Sequence, residues 1–279
     1  MRPTRTTTLP PLRTSSATVL PCALAVLAAL VATTTAAASE RRFAFTYESL
    51  VLNPGHIEVE QWNTFRGGRE ELYLRFDERI EFEIGVLENL QMAWYLNATA
   101  VTAAAGGALT KELEFGGVSN EWKWKLLDPV ADPVGLALYG EWTAAPSEAE
   151  LEAKVIVDKR FGDLIVALNV VGEAEWELEG PDEVKQEIVV ELDAGLAYLL
   201  TPQLGLGLEL RNHNEFVAAG FEHSALFAGP TLSYAAEGWW TTLSVMPQIV
   251  ALAAHVSPTL QDLHDHERIN ARVLLGFDL

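Results

Sequence analysis

The stretch QDLHDHE places Asp262, His264, Asp265, His266 and Glu267 within seven residues, with His255 a short way upstream. Imidazole and carboxylate at such spacing can bind Zn²⁺ or a similar ion. Loops are rich in the same residue types, and nothing in this spacing fixes a tetrahedron. The segment therefore reads as a solvated loop, with no metal ligand and no cofactor assigned. FEHSAL sets His223 beside Ser224, the residue types of a base and a nucleophile. Adjacent residues on a strand point to opposite faces, so no hydrogen bond between them is expected. His213 and Glu215 make a histidine–carboxylate pair without an aligned nucleophile, and no catalytic residue is assigned. The glycines of LGLGLEL lack the strand-to-helix context that a phosphate loop requires.

The densest charge lies in EELYLRFDERIEFEIGV, residues 70–86. Every second residue from Leu72 is almost always apolar, and between them stand Arg75, Asp77, Arg79, Glu81 and Glu83. A period of two predicts an extended strand with one apolar and one charged face. Similar alternation puts Glu121, Lys123 and Lys125 on one face of a later strand, opposite Trp122 and Trp124. Glu191 and Asp193 share a face further on, as do Glu209 and Arg211. These four groups are the candidate lining of an enclosed lumen.

Alternation recurs from about Gly55 to Leu279 and predicts twelve strands with no helix among them. Many of the stretches exceed the 9–11 residues that a strand needs to cross a bilayer, and soluble strands average about five or six. Short connections such as VLEN, RFGD and AEGW alternate with looser ones such as AAAGGALT, EGPDE and VAAGFE. The pattern predicts an all-β, transmembrane, up-and-down antiparallel barrel, with lipid outside and charge inside. The alternative is an exported acidic β-sandwich whose charged faces meet water.

The first 38 residues differ from the rest. Arg2, Arg5 and Arg13 precede an apolar run from Val19 to Val31, and Ala36–Ala38 forms an Ala-x-Ala site. This is the layout of a secretory signal peptide, with cleavage expected after Ala38 and export to the bacterial outer membrane. The one cysteine, Cys22, lies within it, so disulfides and thiolate sites are not expected afterwards. Losing three arginines from the 19 basic residues leaves 16 against 39 acidic ones, a net charge of −23. That balance argues against nucleic acid as a partner. Residues 39–55 precede the barrel, which spans 56–279, and fit equally a periplasmic strand, a lid or a plug.

FAFTYESLVLNPGHIEVEQWNTFR, EWKWKLLDPVADPVGLALYGEW and HERINARVLLGFDL resemble uncharacterised bacterial outer-membrane barrels of a domain-of-unknown-function family, near the transporters of the phenol meta-degradation type. The resemblance implies a location and a fold. It carries over no substrate and no catalytic residue. The terminal strand, with Phe277 and Leu279 in the lipid-facing register, resembles the signal that outer-membrane proteins present to the barrel-assembly machinery.

The expected protein is a monomer among outer-membrane lipids, and most simply a narrow channel for passive passage of small solutes. Charges of both signs could instead form ion-pair ladders that plug the cylinder, since twelve strands fall between filled and open barrels. With acids in excess, an open path should weakly prefer cations. The rivals are a closed structural or adhesion-like barrel acting through its outer loops, and a lipid-modifying barrel enzyme.

Overall fold

The computed structural model describes residues 40–105, 108–178, 184–253 and 259–279; the expected signal peptide with Cys22, and His255, lie outside them. The alternating stretches form twelve strands. They are β1 (Ile57–Gly67), β2 (Tyr73–Leu87), β3 (Leu90–Ala105), β4 (Ala108–Leu127), β5 (Gly135–Ala144) and β6 (Glu148–Phe161), then β7 (Leu164–Leu178), β8 (Val184–Leu199), β9 (Leu204–Val217), β10 (Gly220–Ala236), β11 (Trp239–Ala253) and β12 (Ile269–Asp278). Each pairs antiparallel with its neighbour in sequence, and β1 closes the ring on β12, from Glu58 opposite Asp278 to Gly67 opposite Ile269. Closure leaves no unpaired edge, the condition for strands surrounded by hydrocarbon.

The two faces of the wall have opposite chemistry. Leu168, Val170, Leu192, Leu196 and Leu208 point outwards and are roughly half exposed, while Asn169, Asp193 and Glu209 between them are buried. An apolar belt of this extent is foreign to a water-soluble surface and suits lipid. Aromatic side chains border it: Trp239 packs on Tyr234 at 5.6 Å and Trp94 on Trp142 at 5.8 Å. The protein is a transmembrane up-and-down barrel.

The start of β1, the end of β12 and the β2–β3, β4–β5, β6–β7, β8–β9 and β10–β11 turns share one rim, which by the usual rule is periplasmic. Gly162 (φ 63°) and Gly238 (φ 80°) supply the left-handed residues of two of those turns. In the β4–β5 turn, the amides of Ala131 and Val130 donate to Asp128 Oδ1 and hold its carboxyl below the usual range. On the opposite rim, two connections expected to be loose are tight. β3 continues to Ala105 and β4 restarts at Ala108, and only two residues separate β9 from β10. Residues 108–115 of β4 are exposed on both faces, although Glu114 among them still lines the lumen.

Residues 40–53 run inside the barrel as an irregular segment. Phe43, Ala44, Phe45, Tyr47 and Leu52 are buried there. Wall side chains satisfy its backbone where a sheet would otherwise do so. The Glu209 carboxylate accepts the amides of Ala44 (2.9 Å), Phe45 (2.8 Å) and Thr46 (2.8 Å). Asn169 accepts the Tyr47 amide at 2.6 Å and donates to its carbonyl at 3.0 Å. Gln91 accepts the Leu52 amide, and Thr242 and Arg272 donate to the carbonyls of Arg41 and Ala44. The contact is close enough to require glycine in the wall. A Cβ on Gly195 would fall 2.7 Å from the Phe43 ring, and one on Gly85 would fall 2.1 Å from the Asn53 carbonyl oxygen.

Gly195→Val should therefore displace Phe43, at the ~1–3 kcal/mol that overpacking costs. The expected result in native-state hydrogen exchange is faster exchange of the amides of residues 43–47, by roughly 10–100-fold, with the strands still protected. Unchanged exchange in the segment would show that Phe43 is not held against Gly195.

Candidate functional site

Above the segment the lumen opens into a polar cavity of about 590 Å³. Its floor is a layer of aromatic rings interleaved with cations. The Arg41 guanidinium lies 4.2 Å from the Tyr47 ring and 4.5 Å from the Trp62 ring. Arg79 covers Tyr95 at 4.1 Å, Lys154 covers Tyr47 at 4.0 Å and Arg272 covers Phe45 at 4.2 Å. Each cation meets the negative face of a ring, which partly replaces the water it has lost. Arg79 also pairs with Glu141, whose other oxygen accepts the Tyr139 hydroxyl.

The cavity walls carry opposite charge on opposite sides. On β1 and β2, Arg66 stands directly opposite Arg75, with Asp77 accepting from both at 3.2 and 2.7 Å. Across the barrel, Glu148, Glu150 and Glu152 on β6 face Glu177, Glu175 and Glu173 on β7, and Glu175 also faces Glu187 on β8. Like charges directly opposite one another destabilise a sheet. Carboxylates in the lining outnumber arginine and lysine by more than two to one. The result is a field directed across the lumen, with acids in excess.

The sequence candidates divide into three sets. Arg75, Asp77, Arg79, Glu191, Asp193 and Arg211 line the cavity, where Arg211 pairs with Glu191. Glu81, Glu83, Glu121, Lys123 and Glu209 are buried outside the lining of that cavity. Among these, Glu81 accepts from the Trp62 indole at 3.0 Å, Glu83 accepts from Gln91 at 2.6 Å, and Glu121 accepts from the Tyr95 hydroxyl. Lys125 stands apart. The β4–β5 register shifts between Lys125 and Leu127, and its ammonium sits 3.7 Å from Asp128 at the periplasmic turn. His223 faces inwards to Glu215 at 3.2 Å, whereas Ser224 donates to Asn214 at 2.8 Å.

Residues 35–279 match the model of a family of unknown function, DUF6662. The chain belongs to this family. No curated protein matches the sequence. Among solved structures, this DUF6662 member is similar to an outer membrane channel from Pseudomonas putida F1, with a TM-score of 0.62, 9% identity, and coverage of 83% of this chain and 98% of that one. It is also similar to the NanC porin (TM-score 0.51, 10% identity, 79% of this chain and 100% of that one). The β domain of the Bordetella autotransporter BrkA gives 0.51 at 10% identity, over 81% and 100%. At these identities the likeness establishes the outer-membrane barrel fold.

Several residues of the site escaped sequence reasoning. Glu141, Lys154 and Arg272 share the inward parity of their strands, and that parity was their only signal. Tyr95 and Tyr139 are aromatic residues at inward positions, which marks a filled rather than a wholly watery lumen. The meeting of His213 and His223 with His266 depends on how the last loop folds.

Arg79→Ala should strand the buried Glu141 carboxylate and cost about 3 kcal/mol, the scale for breaking one partner of a buried pair. Adding Glu141→Gln should recover a large part of that loss. Urea unfolding from lipid vesicles measures both, and a neutral Arg79→Ala would mean that water already solvates Glu141.

Proposed function

We propose that this DUF6662 protein is a narrow outer-membrane channel for passive passage of small solutes. It is exported by its signal peptide, inserted through its terminal strand by the barrel-assembly machinery, and works as a monomer. The observation that carries this reading is the charged cavity of about 590 Å³ above a segment held largely by hydrogen bonds. Facing glutamates across β6–β7 cost stability, and a wall that keeps them is suited to concentrating cations from the exterior. The arginines opposite would orient a solute carrying both charges. Residues 40–53 then set the conductance, because they occupy the lumen beneath the cavity.

A second reading draws on the same segment. Phe43, Phe45 and Tyr47 fill the lumen tightly enough for a closed barrel that acts only through its outer loops. Single-channel recording separates the two. The mature chain should give small, cation-preferring steps, and a chain lacking residues 40–53 should give steps several-fold larger. Glu150→Gln/Glu173→Gln/Glu175→Gln should move the cation-to-anion permeability ratio towards one. Silence from both the mature and the shortened chain, each folded and heat-modifiable, would favour the closed barrel.

A further inference from the structure

Three histidines from separate elements meet at the outer end of the lumen. His213 is on β9, His223 on β10 and His266 in the connection between β11 and β12. One ring nitrogen from each lies within 4.8 Å of the other two. The rings of His223 and His266 stand edge to face with centroids 4.3 Å apart, and His213 is 5.3 Å from His266.

The hydrogen bonding of this group is incomplete in a specific way. His223 and His266 are each only 6% exposed, yet His223 Nδ1 and His266 Nε2 have no hydrogen-bond partner. Buried polar atoms nearly always have one, so two orphans within one histidine cluster need an explanation. The opposite nitrogens of two of the rings are occupied by carboxylates. Glu191 meets His213 Nδ1 at 2.5 Å, and Glu215 lies 3.2 Å from His223 Nε2. A carboxylate on the rear nitrogen is the arrangement that fixes the tautomer and aim of a metal-binding imidazole.

We propose that His213 Nε2, His223 Nδ1 and His266 Nε2 bind one divalent transition-metal ion of the Zn²⁺ class. Three imidazoles without thiolate or a carboxylate majority suit Zn²⁺, Ni²⁺ or Cu²⁺ over Mg²⁺ or Ca²⁺. Ligand nitrogens of a tetrahedral zinc site lie roughly 3.3 Å apart, against up to 4.8 Å for one nitrogen from each ring here, so the rings would have to turn inwards to close on the ion. A water from the cavity would complete the set. The loop already lies in the mouth: Arg69 pairs with Glu267 at 2.6 Å, the Glu70 amide donates to the Leu263 carbonyl, and Gln248 donates to the Asp262 carbonyl. The ion would fasten this loop to β9 and β10 across the outer opening. This inference does not depend on whether the barrel conducts.

The test is a Zn²⁺ titration of the metal-stripped, refolded barrel by calorimetry, with Co²⁺ absorption as an independent report of imidazole ligation. One ion per chain is expected. His266→Gln should weaken binding by about 10–100-fold. His264→Gln, two residues away on the same loop but with its side chain 67% exposed, should leave binding unchanged. His266 belongs to a loop, so both variants should keep heat-modifiable migration, which checks folding directly. Zn²⁺ should also slow trypsin cleavage after the exposed Arg268 in the parent chain and not in His266→Gln. No saturable binding, or equal losses in the two variants, would overturn the site. Binding without protection at Arg268 would overturn the fastening of the loop.

Discussion

The whole structure depends on the pairing of β1 with β12. In hydrocarbon an unpaired strand edge exposes backbone groups that nothing outside can satisfy, so a spanning sheet must close upon itself. Closure then separates two environments along every strand. Outward positions must be apolar, and inward positions are released from that demand. This is why residues as polar as Glu58, Glu60, Glu81 and Glu121 lie at 1% exposure or less, each accepting a hydrogen bond from a buried aromatic side chain. The enclosed space of a twelve-stranded cylinder is too wide for side chains alone and narrow enough for one added length of chain. Residues 40–53 fill it from one end, and the charged cavity is what they leave.

The interior is thus packed by a different logic from a soluble core. A core built of leucines gains from leaving water, whereas here polar side chains gain from each other and from the backbone of the inserted segment. Glu209 replaces water around three consecutive amides, and Asn169 imitates the donor–acceptor pair of a neighbouring strand. Cations seated on the faces of Tyr47, Trp62 and Tyr95 form the boundary between the filled and the open halves. Above that boundary the compensation is less complete, most visibly where β6 faces β7.

Most of the wall was legible in the sequence because a period of two is local: Leu72 to Val86 announces both faces of β2 without reference to any other strand. Arg75, Asp77, Arg79, Glu191 and Arg211 were placed on inward faces by parity alone. Parity also holds for Lys125, which stands opposite the buried Ala137, but it cannot say how far up the cylinder a residue sits. It therefore could not divide the cavity residues from those beneath the floor. The place of residues 40–53 was open for a related reason. Their alternation is weak because their partners are side chains on six different strands, and such contacts leave no periodic trace. The histidine cluster was hidden similarly: His266 was noticed beside His264, but its neighbours in space are His213 and His223.

The partners of the inserted segment include Gln91 on β3, Asn169 on β7, Glu209 on β9, Thr231 on β10, Thr242 on β11 and Arg272 on β12. The segment is among the first parts of the chain to be made, yet its binding surface is complete only when the last strand is in place. Each of those contacts also closes a long loop of chain, which is slow to form before the wall exists. The full set of partners exists only once β1 meets β12, so that a fully bonded segment is the mark of a completed barrel.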